Sequence, residues 1–172
     1  MRSACTRKGF SIGEVLISSF VIMMGVVVTS NLLATSITST TDGRNLVIAS
    51  QLAQEGAELV RNVRDNNVVN GSLSFVGFPS NGSTRECSID YASGLSCSSS
   101  TTLLRYDNGF YEHGSGEDTF FRRRIRISVS GSGEEADVES TVVWRRTDFP
   151  SNCTFGDRCV STRSTLTTWL EP

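Results

Sequence analysis

A long apolar segment near the amino terminus limits what this chain can fold into. It runs from Phe10 to Ile37 and contains one charged residue, Glu14. As an α-helix with a rise of about 1.5 Å per residue it would be about 42 Å long, enough to cross a bilayer core of about 30 Å. Residues 1–8 contain basic residues and no acid, and such a flank stays on the cytoplasmic side. We therefore predict one membrane-spanning helix, with the rest of the chain outside the cytoplasm.

Glu14 is an unusual residue for such a segment. An ionisable side chain inside a membrane span costs a few kcal/mol and usually serves a function together with a partner. A structural role is also open, because Ser11 and Glu14 have the spacing of a capping box, in which the acid satisfies free amides at the positive end of the helix dipole. These residues alone leave both interpretations open.

The residues around Glu14 resemble a known family. Residues 7–17 read RKGFSIGEVLI, and this segment resembles the start of type IV prepilins and of the pseudopilins of type II secretion systems. In that family a prepilin peptidase cuts after the glycine that ends a short basic leader and methylates the new terminal amine, usually of phenylalanine. The resemblance implies a leader of residues 1–9, cleavage between Gly9 and Phe10, and N-methylation of Phe10.

The same resemblance makes Glu14 the residue for assembly. The free amine of Phe10 would have a pKa of about 7.7–8.0 and would be largely cationic at neutral pH. The Glu14 carboxylate of one subunit could pair with this amine on a neighbour. The partners implied are other pilin subunits in a helical filament, an inner-membrane assembly platform and the prepilin peptidase/methyltransferase. The chain departs from the family at Gly13 and at residues 29–32, where many members have a branched residue and a proline respectively.

A second helical pattern follows the apolar segment. Residues 35–44 are polar and end in Asp42-Gly43, which is consistent with the chain leaving the membrane. Apolar or small residues then recur at steps of three and four, which predicts an amphipathic helix to about residue 67. The predicted buried stripe consists of Leu46, Ala49, Ala53, Gly56, Val60 and Val63. We expect residues 10–41 to form the hydrophobic helix and residues 42–172 an extracytoplasmic globular head.

Beyond residue 70 the pattern predicts β-strands. Phe121, Arg123, Ile125, Ile127 and Val129 alternate with Arg122, Arg124, Arg126 and Ser128, which indicates one apolar and one basic face. The segment Gly131–Glu135 should join this strand to one containing Val138, Val142 and Trp144 as a hairpin. Further strands are predicted at residues 73–78, 102–106 and 164–170. A helix packed on an antiparallel sheet is an α+β fold, and it is also the pilin-like head that the resemblance implies.

Four cysteines remain after loss of the leader, namely Cys87, Cys97, Cys153 and Cys159. An even number outside the cytoplasm favours disulfides. Of the three possible connectivities, local pairing (Cys87–Cys97 and Cys153–Cys159) is the simplest. A zinc site made of the four cysteines is the alternative. Neither cysteine pair has the short spacing of a structural zinc site. The last two cysteines also resemble the disulfide-bounded loop near the carboxy terminus of many pilins.

The composition disfavours most enzyme classes. The chain has one histidine, His113, and one lysine, Lys8, and no set of nucleophile, base and orienting group is visible. We expect no catalysis, no cofactor and no metal, with His113 in an exposed loop. Residues 122–126 include four arginines, but acids on the neighbouring strand should balance them. We therefore do not expect nucleic acid as a partner.

The sequence and the resemblance thus predict a structural subunit of a type IV pilus-like filament that serves adhesion, motility or DNA uptake. A minor subunit is favoured over the main one. It would be a single-pass precursor in the cytoplasmic membrane and then part of a cell-surface filament. Two alternatives remain. One is a type II secretion pseudopilin, and the other is an extracellular binding domain on an uncleaved anchor that never polymerises.

Overall fold

A computed structural model describes residues 9, 11–91, 93–98, 102–154 and 156–168 of the chain. The chain divides into two compact units, residues 1–43 and 44–172. The described residues form the helix α1, Ile12–Val69, and seven strands: β1 Thr84–Asp90, β2 Gly94–Ser96, β3 Leu103–Asp107, β4 Phe110–Glu112, β5 Glu117–Val129, β6 Glu135–Trp144 and β7 Cys159–Thr167. The second part of α1 packs on an antiparallel sheet, so the predicted α+β fold is confirmed.

The helix ends two residues beyond the predicted end at about residue 67. Its last residue, Val69, comes directly before Asn70-Gly71. Gly71 has a φ of 70°, its amide bonds the carbonyl of Val68 at 3.0 Å, and the amide of Ser72 bonds the carbonyl of Asn67 at 2.9 Å. This pair of bonds is the Schellman motif, which favours glycine because of its left-handed conformation.

Strand β5 organises the sheet. On one side it pairs with β6 from Phe121↔Trp144 to Val129↔Ala136. On its other side it pairs with β1 near its carboxy-terminal end and with β3 near its amino-terminal end. Strand β7 pairs with the far side of β6, while the short strands β2 and β4 pair with β1 and β3. All of these pairs are antiparallel.

The core lies between residues 45–64 of α1 and the face of the sheet that carries Ile125 and Val142. The predicted stripe is correct at Ala49, Ala53, Gly56 and Val60, and Val63 is half-buried and packs against the core. The prediction is wrong at Leu46, which is 46 % exposed. The buried residues of α1 are Asn45, Ala49, Leu52, Ala53, Gly56, Ala57, Val60 and Arg64. Small residues dominate this set because the helix approaches the sheet closely.

The strand predictions are correct for the central strands of the sheet and partly wrong for the segments at its edges. The hairpin of β5 and β6 and the strand β3 form as predicted. Residues 73–78 form turns instead of a strand, because their apolar side chains Phe75 and Phe78 pack against the core from a loop. β7 begins at Cys159, five positions before the predicted start, and residues 169–170 of its predicted end lie outside the described residues. The strands β1, β2 and β4 were not predicted.

Candidate functional site

The amino-terminal part of α1 is an exposed apolar surface. Every residue from Ser11 to Thr40 is exposed, and an 18-residue window of the helix has a mean hydropathy of 2.1 with no residue buried. Its large exposed residues include Val15, Leu16, Phe20, Met23, Val27 and Leu32. A soluble protein rarely exposes an apolar area of this extent. By length and composition this helix could span a membrane.

Most of the serine and threonine hydroxyl groups in this segment find partners inside the helix. Ser18 Oγ donates to the carbonyl of Glu14 at 2.7 Å, and Ser30 Oγ to that of Val26 at 2.8 Å. The same bond to a carbonyl three or four positions earlier is made by Ser19, Thr29, Thr35, Thr38, Thr40 and Thr41. In an apolar environment an unpaired hydroxyl is costly. These bonds make the segment compatible with lipid despite its serines and threonines.

Glu14 lies in the first turn of α1. The helix starts at Ile12, and the carbonyl of Ser11 accepts the amides of Glu14 and Val15 at 3.0 and 3.2 Å. A carboxylate at this position interacts favourably with the positive end of the helix dipole. Gly9 is exposed, with nothing within 4 Å of an added Cβ. Phe10, the predicted amino-terminal residue after cleavage, lies outside the described residues.

The four predicted cysteines form two local disulfides. Cys87 of β1 is bonded to Cys97, which follows β2, with an S–S distance of 2.03 Å. Cys153 is bonded to Cys159, the first residue of β7, with a Cα–Cα distance of 5.5 Å. In the part of the chain that the structure describes, no cluster of three or more metal-ligating side chains occurs. The zinc alternative therefore has no support at these cysteines.

The second disulfide holds a strap over the outer face of the sheet. We define the strap as residues 145–158, between β6 and β7, with residue 155 outside the described part. The ring centre of Phe149 lies 4.7 Å from the guanidinium carbon of Arg124. Val143 and Thr141, which alternate with core residues of β6, are nonetheless 0 % and 3 % exposed. The strap therefore gives this end of the sheet a second buried layer.

A buried arginine connects the helix to the sheet on the opposite face. Arg123 of β5 is 1 % exposed. Its Nη2 donates to the carbonyl of Ile89 at 2.7 Å and lies 3.9 Å from Asp90 Oδ1. Its Nη1 donates to Glu55 Oε1 at 3.2 Å and to the carbonyl of Leu52 at 3.4 Å. One guanidinium thus links α1, β1 and β5.

His113 belongs to the same network. It lies in the loop between β4 and β5, as predicted, but it is half-buried, so the prediction that it is exposed was wrong. Its backbone amide donates to Asp90 Oδ1 at 3.0 Å, and its ring Nδ1 lies 2.9 Å from the carbonyl of Leu103. Since a carbonyl only accepts, Nδ1 carries the proton in the neutral ring. Burial lowers the pKa of His113, and the charge of Arg123 lowers it further, whereas the Leu103 carbonyl and Asp90 oppose the shift. Sequence patterns do not reveal this contact, because Asp90 and His113 are 23 residues apart along the chain.

A ladder of alternating charge crosses the outer face of the sheet. Glu86, Arg126, Glu139 and Arg163 are direct neighbours in the register of β1, β5, β6 and β7. Arg126 Nη2 lies 3.3 Å from Glu86 Oε1, and Arg163 donates to Glu139 Oε1 through Nε and Nη2 at 2.8 and 2.7 Å. Glu139 thus lies on the strand next to the basic face, where acids were predicted, whereas the contribution of Glu86 from β1 was not predicted. We call these four residues the charge ladder.

No family model matches the chain, and no curated protein and no solved structure matches it. The features that bear on function are the exposed apolar part of α1 with Glu14 in its first turn, and the disulfide-bonded head.

Proposed function

We propose that this chain is a structural subunit of a type IV pilus-like filament and has no catalytic activity. The observation that carries the proposal is the position of Glu14, which lies in the first turn of α1 and is the single charged residue of its exposed apolar segment, residues 11–40. The prepilin-like segment of residues 7–17 supports it further. A disulfide-bonded α+β head fits a location outside the cytoplasm, where disulfides persist.

In the proposed route the chain first enters the cytoplasmic membrane through its apolar helix. A prepilin peptidase/methyltransferase removes residues 1–9 and methylates Phe10. The assembly platform then transfers the subunit into a helical filament at the cell surface, where the apolar helices pack together. The carboxylate of Glu14 compensates the Phe10 amine of a neighbour, and neither charge is left alone in the apolar filament core.

The test is mass spectrometry of the amino-terminal peptide from surface filaments sheared off the cells. We expect a peptide that begins at Phe10 and is heavier by one methyl group. A peptide that retains the leader and occurs only in membranes would refute the proposal and identify an anchored extracellular domain. Processed chain that supports secretion without surface filaments would instead identify a pseudopilin.

A further inference from the structure

The outer edge of β7 offers main-chain groups for pairing. β7 pairs with β6 on one side, and no other described strand contacts it. The amide of Thr168 donates to the carbonyl of Glu134 at 2.9 Å. This bond shows which residues of β7 direct their main-chain groups toward β6. Since hydrogen-bonding residues alternate along an antiparallel pair, the amides and carbonyls of Ser161, Arg163 and Thr165 point away from β6.

A contact at Thr167 supports this assignment of the main-chain groups that point outward. The carbonyl of Thr167, which belongs to the same alternating set, accepts a 2.8 Å bond from Arg64 Nη1 of α1. The helix therefore already uses the outward carbonyl at the carboxy-terminal end of β7. The open part of the edge extends from Ser161 to Thr165.

The charge ladder ends at this open part. Its signs alternate from Glu86 to Arg163, so the next position across the edge suits a carboxylate. The Arg163 side chain is 71 % exposed and has five N–H donors, of which Glu139 takes two. The guanidinium can therefore hold a second carboxylate without releasing Glu139.

Two grooves on the outer face adjoin the same edge. Their volumes are about 380 and 160 Å³, and both are lined by Glu139 and Arg163. The larger extends to Thr165 and the smaller to Asn152 of the strap. When a peptide adds to a sheet edge, main-chain bonds supply affinity and pockets for alternate side chains supply specificity. Beside Arg163, β7 offers both outward main-chain groups and grooves that can accept side chains.

We propose that the β7 edge docks an extended segment of a partner protein, which adds to the sheet as a further strand and places an Asp or Glu opposite Arg163. A second copy of β7 is disfavoured, because antiparallel pairing centred on Arg163 would bring two guanidinium groups together. This proposal concerns the head alone and does not depend on filament assembly.

The first test uses two labelled peptides. One has the sequence of β6, EADVESTVVW, a strand that places Glu139 opposite Arg163 on the inner edge of β7 and should place it there on the outer edge too. The other has Lys at the position of Glu139. Fluorescence anisotropy with the full-length protein in detergent micelles should show at least about tenfold tighter binding of the Glu peptide. Arg163→Glu should reverse this preference. Arg105→Glu makes the same charge change on β3 and should leave the preference intact.

The second test addresses main-chain pairing. Thr165→Pro removes an amide that points outward and leaves the bonds to β6 in place, since proline is tolerated at sheet edges. We expect at least about tenfold weaker binding, while Thr165→Val should bind as the wild type does. Circular dichroism verifies that both variants fold. Equal binding of the two peptides, full binding by the proline variant, or a reversed preference in Arg105→Glu would each overturn the proposal.

Discussion

Gly56 of α1 lies directly over Arg123 of β5. A Cβ at Gly56 would be 3.0 Å from Arg123 Cδ, 2.9 Å from Ile125 Cδ1 and 2.7 Å from Ser140 Oγ. The missing side chain lets the helix come close enough for the carbonyl of Leu52 to accept a bond from the arginine. The hydrogen bond between Arg123 and the helix therefore requires a residue without a side chain at position 56.

Gly56→Ala should destabilise the head by about 1–3 kcal/mol, because the added methyl group overpacks a closed contact and forces the helix away from the sheet. Urea unfolding followed by circular dichroism measures this change in the free energy of unfolding. Gly43→Ala is the matched control, since nothing lies within 4 Å of a Cβ there and alanine is the better helix former. Similar losses in the two variants would contradict the close approach at Gly56.

Arg123→Met should cost about 3–5 kcal/mol of stability, because it leaves the Asp90 carboxylate in the core without its cationic neighbour. Arg126→Met on the outer face removes an exposed charge and should change stability by less than about 1 kcal/mol. The same unfolding experiment measures both variants. If Arg123→Met lost as little stability as Arg126→Met, the hydrogen bonds and ion pairs of Arg123 would contribute little to the stability of the head.

His113 should make the head less stable in acid. Because its pKa is lowered by burial in the folded chain, the unfolded chain takes up the proton first as the pH falls. The stabilisation by neutral His113 is complete above the unfolded pKa of 6.5 and is lost as the pH falls through the lower folded value. We expect the unfolding midpoint in urea to decrease over this range.

His113→Asn is the corresponding variant, since its side-chain amide can still donate to the Leu103 carbonyl but does not titrate. It should flatten the pH dependence below about pH 6.5. If the wild type and the variant lose stability in parallel across this range, the decrease arises from other groups.

Glu14→Val should abolish or strongly reduce entry into filaments and leave membrane insertion intact, since valine removes the proposed partner of the Phe10 amine and makes the span more apolar. The measurement compares the amount of protein in sheared filaments with the amount in membranes. Glu14→Gln keeps the size of the side chain without its charge and should behave like Glu14→Val. Normal amounts of either variant in filaments would reject the pairing of Glu14 with Phe10.

The sequence predicted the parts of the fold that are governed by periodicity. The alternation in β5 even placed Arg123 on the apolar face, where the structure finds it, although periodicity could not say that a cation would be satisfied there. Its partners come from α1 and β1, and such contacts depend on tertiary packing. The same limit applies to Leu46, since the helix face against the sheet is rotated toward Asn45.

The marginal strands were harder to predict for a related reason. β1 contains Thr84, Arg85 and Glu86 at its exposed end, so its composition resembles a loop until β5 supplies the partner register. Residues 73–78 show the opposite error, since Phe75 and Phe78 give a strand-like pattern to turns that only cover the core. In both segments the sheet neighbours decide the local structure.

The internally bonded hydroxyls of α1 also affect what the helix can exchange. In the proposed filament, the serines and threonines that bond inside the helix would keep these hydrogen bonds when apolar protein neighbours replace lipid neighbours. The proposed transfer would then be nearly neutral for most of the apolar surface. The carboxylate of Glu14, the one charged side chain between residues 11 and 40, would decide in which environment the segment remains.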